Sequence, residues 1–141
     1  SSIKGFSEEN IYAVDIDTVE ITGLKKRFPN VNFEIKTFLS DIYDGEKFDL
    51  IIGNPPYAAK IDLGEKEYIK NNGVFDKLER LETSALFLMK SIKLLEKGGL
   101  LTMILPSTLL RIDSYSGLRE YIKGNTFVIE IINIEFSDIY S

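Results

Sequence analysis

The sequence contains neither cysteine nor histidine. Without cysteine the chain can form no disulfide and no thiolate metal site. Without histidine it lacks the usual general base, the partner of serine and cysteine nucleophiles, and the commonest metal ligand. We therefore expect no metal centre, and the chemistry that remains must use none of these groups. Transfer of a group from an already activated donor meets that condition.

Long apolar runs are also missing. No stretch approaches the roughly 20 apolar residues that span a bilayer, and residues 1–5 lack the apolar core of a signal peptide. We therefore expect a soluble, cytoplasmic protein that contacts no membrane. The formal net charge of -5 has the wrong sign for a chain that grips a phosphate backbone by itself, since that affinity comes from lysine and arginine. Any contact with nucleic acid should be local, or supplied by other sequence.

The composition provides enough apolar material for a core, because 44% of the 141 residues are hydrophobic. The charged fraction of 28% is ordinary, and the sequence shows no internal repeat, low-complexity stretch or flexible linker. We predict one globular domain over residues 1–141, with no internal boundary.

Short apolar runs alternate with stretches of helical periodicity. The pattern predicts strands at residues 11–14, 31–35, 48–52, 100–105 and 128–134, and helices at residues 18–28, 83–96 and 116–123. Residues 58–76 are polar and should form a long loop or lid with a short helix.

This alternation predicts an α/β fold: a doubly wound, mostly parallel sheet with helices on both faces. The strands are apolar at nearly every position, which is typical of parallel strands covered on both sides. Ligands of such sheets bind beyond the carboxyl ends of the strands. Functional residues should therefore follow the strands directly.

The segment Asn54-Pro55-Pro56-Tyr57 stands at one of these strand ends. Its two prolines fix the backbone and remove two amide donors, while their carbonyls remain acceptors. Transfer to an aromatic or amide NH₂ needs such acceptors, because the nitrogen lone pair is delocalised and both hydrogens must be held. The Asn54 side-chain oxygen and the Pro55 carbonyl are the candidates, and the Tyr57 ring could clamp a planar substrate.

A purely structural interpretation is the alternative: the prolines end a strand, and Tyr57 covers an edge of the core. The asparagine at the first position and the apolar strand at residues 48–53 favour the functional interpretation. If the planar substrate were a base in duplex DNA, it could reach these acceptors and the Tyr57 ring only by flipping out of the stack.

Residues 47–57, Lys-Phe-Asp-Leu-Ile-Ile-Gly-Asn-Pro-Pro-Tyr, resemble the catalytic motif of amino-methyltransferases, especially the adenine-specific DNA methyltransferases of restriction-modification systems. Further resemblance to that family lies in residues 84–90, 94–106, 118–121 and 128–134. It implies a Rossmann-like fold and an enzyme that uses S-adenosylmethionine and acts on double-stranded DNA. It also implies that Asn54 and Pro55, followed by Pro56, hold the target amino group while Tyr57 stacks on a flipped adenine.

The acidic strand end Val14-Asp15-Ile16-Asp17 resembles the part of the family that binds the cofactor ribose. By that resemblance Asp15 accepts hydrogen bonds from two ribose hydroxyls, and Ile16 packs on the cofactor adenine. The alternative interpretation, in which the acidic residues cap the following helix, competes most strongly for Asp17.

The resemblance is looser in two places. Thr37 stands where the family usually has an aspartate that binds the cofactor adenine, with Phe38 beside it for ring packing and Asp41 as an outside candidate. Residues 1–10 offer no counterpart to the family's first strand and glycine-rich loop, and no target-recognition domain follows. We therefore expect a partial catalytic domain that is inactive when isolated.

Three alternatives stay open at the level of sequence. Protein glutamine methyltransferases use the same tetrad on a side-chain amide, and a related enzyme could act on ribosomal RNA. The Leu-Pro ending at residues 105–106 and the helix at residues 83–90 favour the DNA family over the glutamine family. The third alternative is an inert assembly module whose cofactor site is completed by a partner.

Overall fold

The computed structural model describes residues 6–134. The described parts of Ser1–Ile42 and of Tyr43–Ser141 each form a compact unit. In chain order the elements are β1 (Tyr12–Asp15), α1 (Thr18–Arg27), β2 (Asn32–Ile35), β3 (Phe48–Gly53), α2 (Leu63–Lys70), α3 (Thr83–Leu94), β4 (Leu95–Met103), α4 (Thr108–Arg111) and α5 (Ser116–Asn125). Short 3-10 turns lie at Glu8–Asn10, Gly73–Lys77 and Asp113–Tyr115.

The first unit is a β-α-β arrangement with two parallel strands, and Asp15 at the end of β1 is in register with Ile35 at the end of β2. Helix α1 begins where the Asp17 carboxylate accepts the amides of Val19, at 2.8 Å, and Glu20, at 2.9 Å. Two of the first turn's orphan donors are thus satisfied by one side chain. The parallel strands bring the residues that follow Asp15 and Ile35 to one edge of the sheet.

In the second unit β3 pairs with β4, also in parallel. After an irregularity between Phe48 and Leu50, the register continues to Gly53 opposite Met103. One residue further, the Gly53 carbonyl accepts the amide of Ile104 at 3.1 Å. Backbone pairing therefore fixes the chain up to the residue before Asn54.

Helix α3 is the core of the second unit. It packs against β4, α5 and the 3-10 turn Gly73–Lys77, and Leu86 and Met89 are fully buried. Helix α5 approaches that turn so closely that a Cβ on Gly117 would lie 2.0 Å from the Lys77 carbonyl oxygen. Glycine is the residue that permits this contact.

The parallel α/β organisation predicted from sequence is confirmed, and so is the short helix in the polar segment, as α2. Within residues 6–134, however, the strands form two separate two-stranded sheets rather than one. The expected coverage on both faces is wrong for these residues, since Leu50, Ile52 and Leu100 are exposed. Helix α3 covers β4 from one side, and the opposite face has no comparable cover among the described residues.

Three element predictions need correction. The strand predicted at residues 100–105 runs over Leu95–Met103 as β4. Helix α3 ends at Leu94 instead of residue 96, because Leu95 is extended and pairs with Phe48 of β3. Gly98 and Gly99, which follow the predicted helix end at residue 96, lie within β4, where Gly98 takes the left-handed conformation at φ +81°.

The strand predicted at residues 128–134 is absent from the structure, which shows no regular element between Thr126 and Ile134. The side chains of Phe127, Ile129 and Ile132 are at least 71% exposed. Apolar β-branched sequence is insufficient for a strand where no neighbouring strand pairs with it.

Among the described residues, no helix has the length and hydropathy to cross a bilayer.

Candidate active site

The tetrad Asn54–Tyr57 leaves the carboxyl end of β3, where the sequence predicted it. Pro55 is buried, while Asn54, Pro56 and Tyr57 are exposed. Because two prolines stiffen the backbone and one of them is anchored in the protein, the flanking side chains are presented to solvent on a rigid segment. This arrangement fits a preformed binding site better than a covered core edge.

The side chains of Asn54 and Tyr57 meet on that surface. The Tyr57 hydroxyl donates to Asn54 Oδ1 at 3.5 Å, which is at the long limit for a hydrogen bond. Tyr57 is 48% exposed, so part of its side chain is open to solvent. An amide oxygen in a weak, solvent-facing contact can exchange it for a substrate hydrogen at little cost. The site therefore combines an available acceptor with a flat aromatic surface.

The chain leaves the tetrad through a strained residue. Ala58 has φ +49°, in the left-handed region that costs a non-glycine residue about 1 kcal/mol. Its amide donates to Glu82 Oε1 at 3.0 Å. The next residue is also held, since the Thr83 hydroxyl donates to the Ala59 carbonyl at 3.0 Å. Two bonds from the start of α3 thus fix the backbone behind Tyr57.

Glu82 is the N-cap of α3 and accepts on both carboxylate oxygens. Besides the bond to Ala58, its Oε2 accepts the hydroxyl of Ser84 and the amide of Ala85, the latter at 3.1 Å. Partial burial acts to raise the pKa of Glu82, but the bonds from Ser84, Ala58 and Ala85 outweigh it and lower the pKa below its ordinary value. The group is therefore ionised at neutral pH.

Residues expected to bind the cofactor lie in the first unit. Asp15 and Ile16 are both exposed at the end of β1, and Ile16 is 73% exposed. Asp15 Oδ1 accepts the amide of Asp17 at 2.9 Å, which orients the carboxylate. The N-cap interpretation of Asp17 is confirmed, because its side chain caps α1.

Thr37 and Phe38 follow the end of β2 and are both half-buried. The Thr37 hydroxyl accepts the amide of Leu39 at 3.3 Å, so it already serves a local turn. Because β1 and β2 are parallel and in register, Asp15 and Thr37 extend from the same edge of their sheet. Asp41 is exposed beyond them.

One residue at the candidate site was missed in the sequence, namely Glu82. The polar run Glu82-Thr83-Ser84 before an apolar helix signals a helix start. Nothing local, however, indicates that Glu82 also bonds to Ala58, which is 24 residues away.

Comparison with known proteins covers most of the chain. The profile of the Eco57I restriction-modification methylase family matches residues 20–140. Type II methyltransferase M.VspI of Vibrio sp. (strain 343) is 31% identical over 132 residues, which are 89% of this chain and 32% of M.VspI. Type II methyltransferase M.TthHB8I of Thermus thermophilus is 35% identical over 96 residues, 60% of this chain and 22% of that protein.

A third relative, the type II restriction enzyme and methyltransferase RM.Eco57I of Escherichia coli, is 29% identical over 104 residues, 67% of this chain and 10% of that protein. The chain thus spans only about a third of the length of M.VspI, and smaller shares of the other two relatives. The family match includes the whole tetrad and helix α3. With the tetrad at a strand end of a parallel α/β unit, the chain belongs to the Eco57I restriction-modification methylase family.

Proposed function

We propose that this chain is part of a catalytic domain that transfers a methyl group from S-adenosylmethionine to the exocyclic amino group of an adenine in DNA, within a restriction-modification system. The observation that carries the proposal is the exposed pair Asn54 and Tyr57 on a segment anchored by buried Pro55. The Tyr57 hydroxyl lies 3.5 Å from Asn54 Oδ1. Similarity to type II methyltransferases supports DNA as the substrate.

In this proposal the tetrad holds the target amino group. Asn54 Oδ1 accepts one hydrogen of the NH₂ group, and the Pro55 carbonyl accepts the other. Two acceptors pull the nitrogen away from planarity and make its lone pair available. The developing positive charge on the nitrogen is stabilised by the same oxygens, which are fixed before the substrate arrives.

The Tyr57 ring binds the base that carries this amino group. Stacking of a base on an aromatic side chain contributes about 1–3 kcal/mol in single-stranded sites. That amount offsets part of the few kcal/mol needed to flip an adenine out of the duplex. Tyr57 therefore selects a planar, unstacked substrate, while Asn54 and Pro55 select an amino group.

Residues of the first unit fit the cofactor's ribose and adenine. The Asp15 carboxylate is exposed and, with one oxygen bonded to a single amide, retains acceptor capacity for neighbouring hydroxyls. Exposed Ile16 and half-buried Phe38 offer apolar surface for a ring, and Thr37 offers a weaker polar contact. When bound, S-adenosylmethionine would supply a methyl group activated by its sulfonium sulfur, which leaves as a neutral thioether. The amino nitrogen would release one proton to solvent after the transfer, so the chain requires no histidine base.

The proposal is tested by identifying which substrate the intact protein that contains this chain methylates. The protein is incubated with tritiated S-adenosylmethionine and, in parallel, unmethylated phage DNA, ribosomal RNA and a glutamine-containing release-factor peptide. Digestion and mass spectrometry should find N6-methyladenine in the DNA. Methylation of the RNA or of the peptide glutamine instead would assign the same tetrad to a different substrate and overturn the proposal.

A further inference from the structure

The backbone directly behind Tyr57 is held by side chains that are distant in sequence. Ala58 adopts φ +49°, a conformation that reverts to an ordinary one unless its surroundings hold it. Its amide bonds to Glu82, and the carbonyl of Ala59 bonds to Thr83. Consecutive residues behind the tetrad are thus bound to consecutive residues at the start of α3.

The start of α3 is a firm support for this purpose. Thr83, Ser84 and Ala85 are all at most 4% exposed, so the first turn of the helix is embedded in the core. Glu82 Oε2 is bonded into that turn through Ser84 and Ala85, while Oε1 faces Ala58. One carboxylate therefore joins a rigid helix to a strained segment.

We propose that Glu82 is a positioning residue for methyl transfer: by bonding Ala58 it fixes the backbone behind Tyr57, and so keeps the ring and the Asn54 amide in a productive arrangement. This inference rests on the proposed function of the tetrad. It extends that function to a residue outside the tetrad, whose described hydrogen bonds join Ala58 to the first turn of α3.

The chemistry of the link favours a carboxylate of this length. Glu82 accepts hydrogen bonds on both sides, from Ala58 and from the helix turn. Glutamine has one acceptor oxygen and an NH₂ group, so it can serve one side only. Aspartate is one methylene shorter and cannot span the same two sets of donors without moving the backbone. Both substitutions should therefore be worse than the native residue.

Hydrogen exchange provides a first test that needs no substrate. In the intact protein, peptides covering residues 55–62 are followed by mass spectrometry. Glu82→Ala should raise the exchange rate of the Ala58 amide about tenfold or more, because a bond to a charged acceptor is lost. The α3 interior should keep its protection. An unchanged Ala58 rate would overturn the proposal, since the segment would then be held by something else.

Kinetics provide the second test. Glu82→Ala should lower kcat about 10- to 100-fold, the loss expected from misplacement on the scale of 1 Å, while the KM for S-adenosylmethionine stays within about twofold. Glu82→Gln should fall between this variant and wild type. Glu79→Gln, which changes an exposed carboxylate nearby, serves as the control and should retain full activity. Raised exchange at Ala58 with unchanged kcat would also overturn the proposal.

The pH profile tests whether the carboxylate form of Glu82 is required. Because the pKa of Glu82 is lowered, the native link persists above that pKa and is lost as the pH falls through it. Glu82→Gln has no group to titrate at this position. Its kcat relative to wild type should therefore stay constant near neutral pH and rise only at pH values below the ordinary glutamate pKa, and a ratio that stayed constant through that acid range would contradict a positioning carboxylate.

A coupled variant ties the effect to the tetrad. If Glu82 acts through Tyr57, then Glu82→Ala should cost less activity in a Tyr57→Ala background than in wild type. Additive losses would contradict the proposal. If the wild-type protein methylates RNA or a peptide rather than DNA, the proposed function fails, and the same kinetic comparison with that substrate still decides the role of Glu82.

Discussion

Replacing Asn54 by alanine should abolish most activity while leaving the fold intact. The Asn54 side chain is exposed, and its described contact is the weak 3.5 Å bond from the Tyr57 hydroxyl. Its removal leaves no buried group unsatisfied and creates no cavity. Surface substitutions of this kind change the free energy of unfolding by about 0.5 kcal/mol or less. We therefore expect a melting temperature within about 4 °C of wild type.

The expected effect on activity is much larger. Loss of one preorganised group that stabilises transition-state charge lowers kcat by about 100- to 1000-fold, or about 2.7–4 kcal/mol. Asn54→Ala should show a loss of this size. Asn71→Ala, at the exposed C-cap of α2, is the matched control and should retain full activity.

The assay combines both measurements in the intact protein. Incorporation of tritiated methyl groups into unmethylated phage DNA gives kcat, and thermal unfolding reports on stability. Methylation by Asn54→Ala at the wild-type rate would refute the role of Asn54 as an amino-group acceptor. A large fall in melting temperature would instead show that the side chain supports the fold, which contradicts its exposure in the structure.

Three further predictions concern other residues. Tyr57→Ala should raise the KM for DNA about 5- to 150-fold through loss of stacking, whereas Tyr57→Phe should stay within a few-fold; equal effects in steady-state kinetics would exclude stacking as the role. Asp15→Asn should raise the Kd for S-adenosylmethionine about tenfold or more in calorimetric titration. An unchanged Kd in Asp15→Asn, with or without a rise in Asp41→Asn, would show that the ribose contact lies elsewhere. Gly117→Ala should destabilise the protein by about 1–3 kcal/mol, because its Cβ would lie 2.0 Å from a backbone oxygen; Gly124→Ala on the same helix, with open space around it, should not.

Helix α3 shows where local sequence succeeds and where it does not. Its apolar spacing predicted a helix from Thr83, which the structure confirms. Its end was predicted two residues late, because pairing between Leu95 and Phe48 ends the helix before the glycines do. Residues so far apart in the chain leave no sign of this pairing in a local window.

Residues 128–134 show the same limit in the opposite direction. Their β-branched composition predicted a strand, but a strand is defined by hydrogen bonds to a neighbour. The described structure gives this segment no such neighbour, and Ile129 and Ile132 stay exposed. Helices satisfy their backbone within themselves, which is why α1, α3 and α5 were easier to predict than strand pairing.

The sequence by itself determined the chemical character of the site. Asn54, Pro55 and Tyr57 lie within four consecutive residues, so one short segment contains both candidate acceptors and the candidate stacking ring, and two prolines restrict its backbone. The cap of α1 was likewise predictable from local sequence, since Asp17 stands directly before the helix that it caps.

Only the tertiary structure decided how the tetrad is supported. It buried Pro55 and left Asn54 and Tyr57 exposed, and it brought Glu82 to the amide of Ala58. The physical reason is that such contacts join residues far apart in the chain, and their formation depends on how whole elements pack. A motif can identify candidate site residues, but the bond between Glu82 at the start of α3 and the amide of Ala58 depends on how the elements pack.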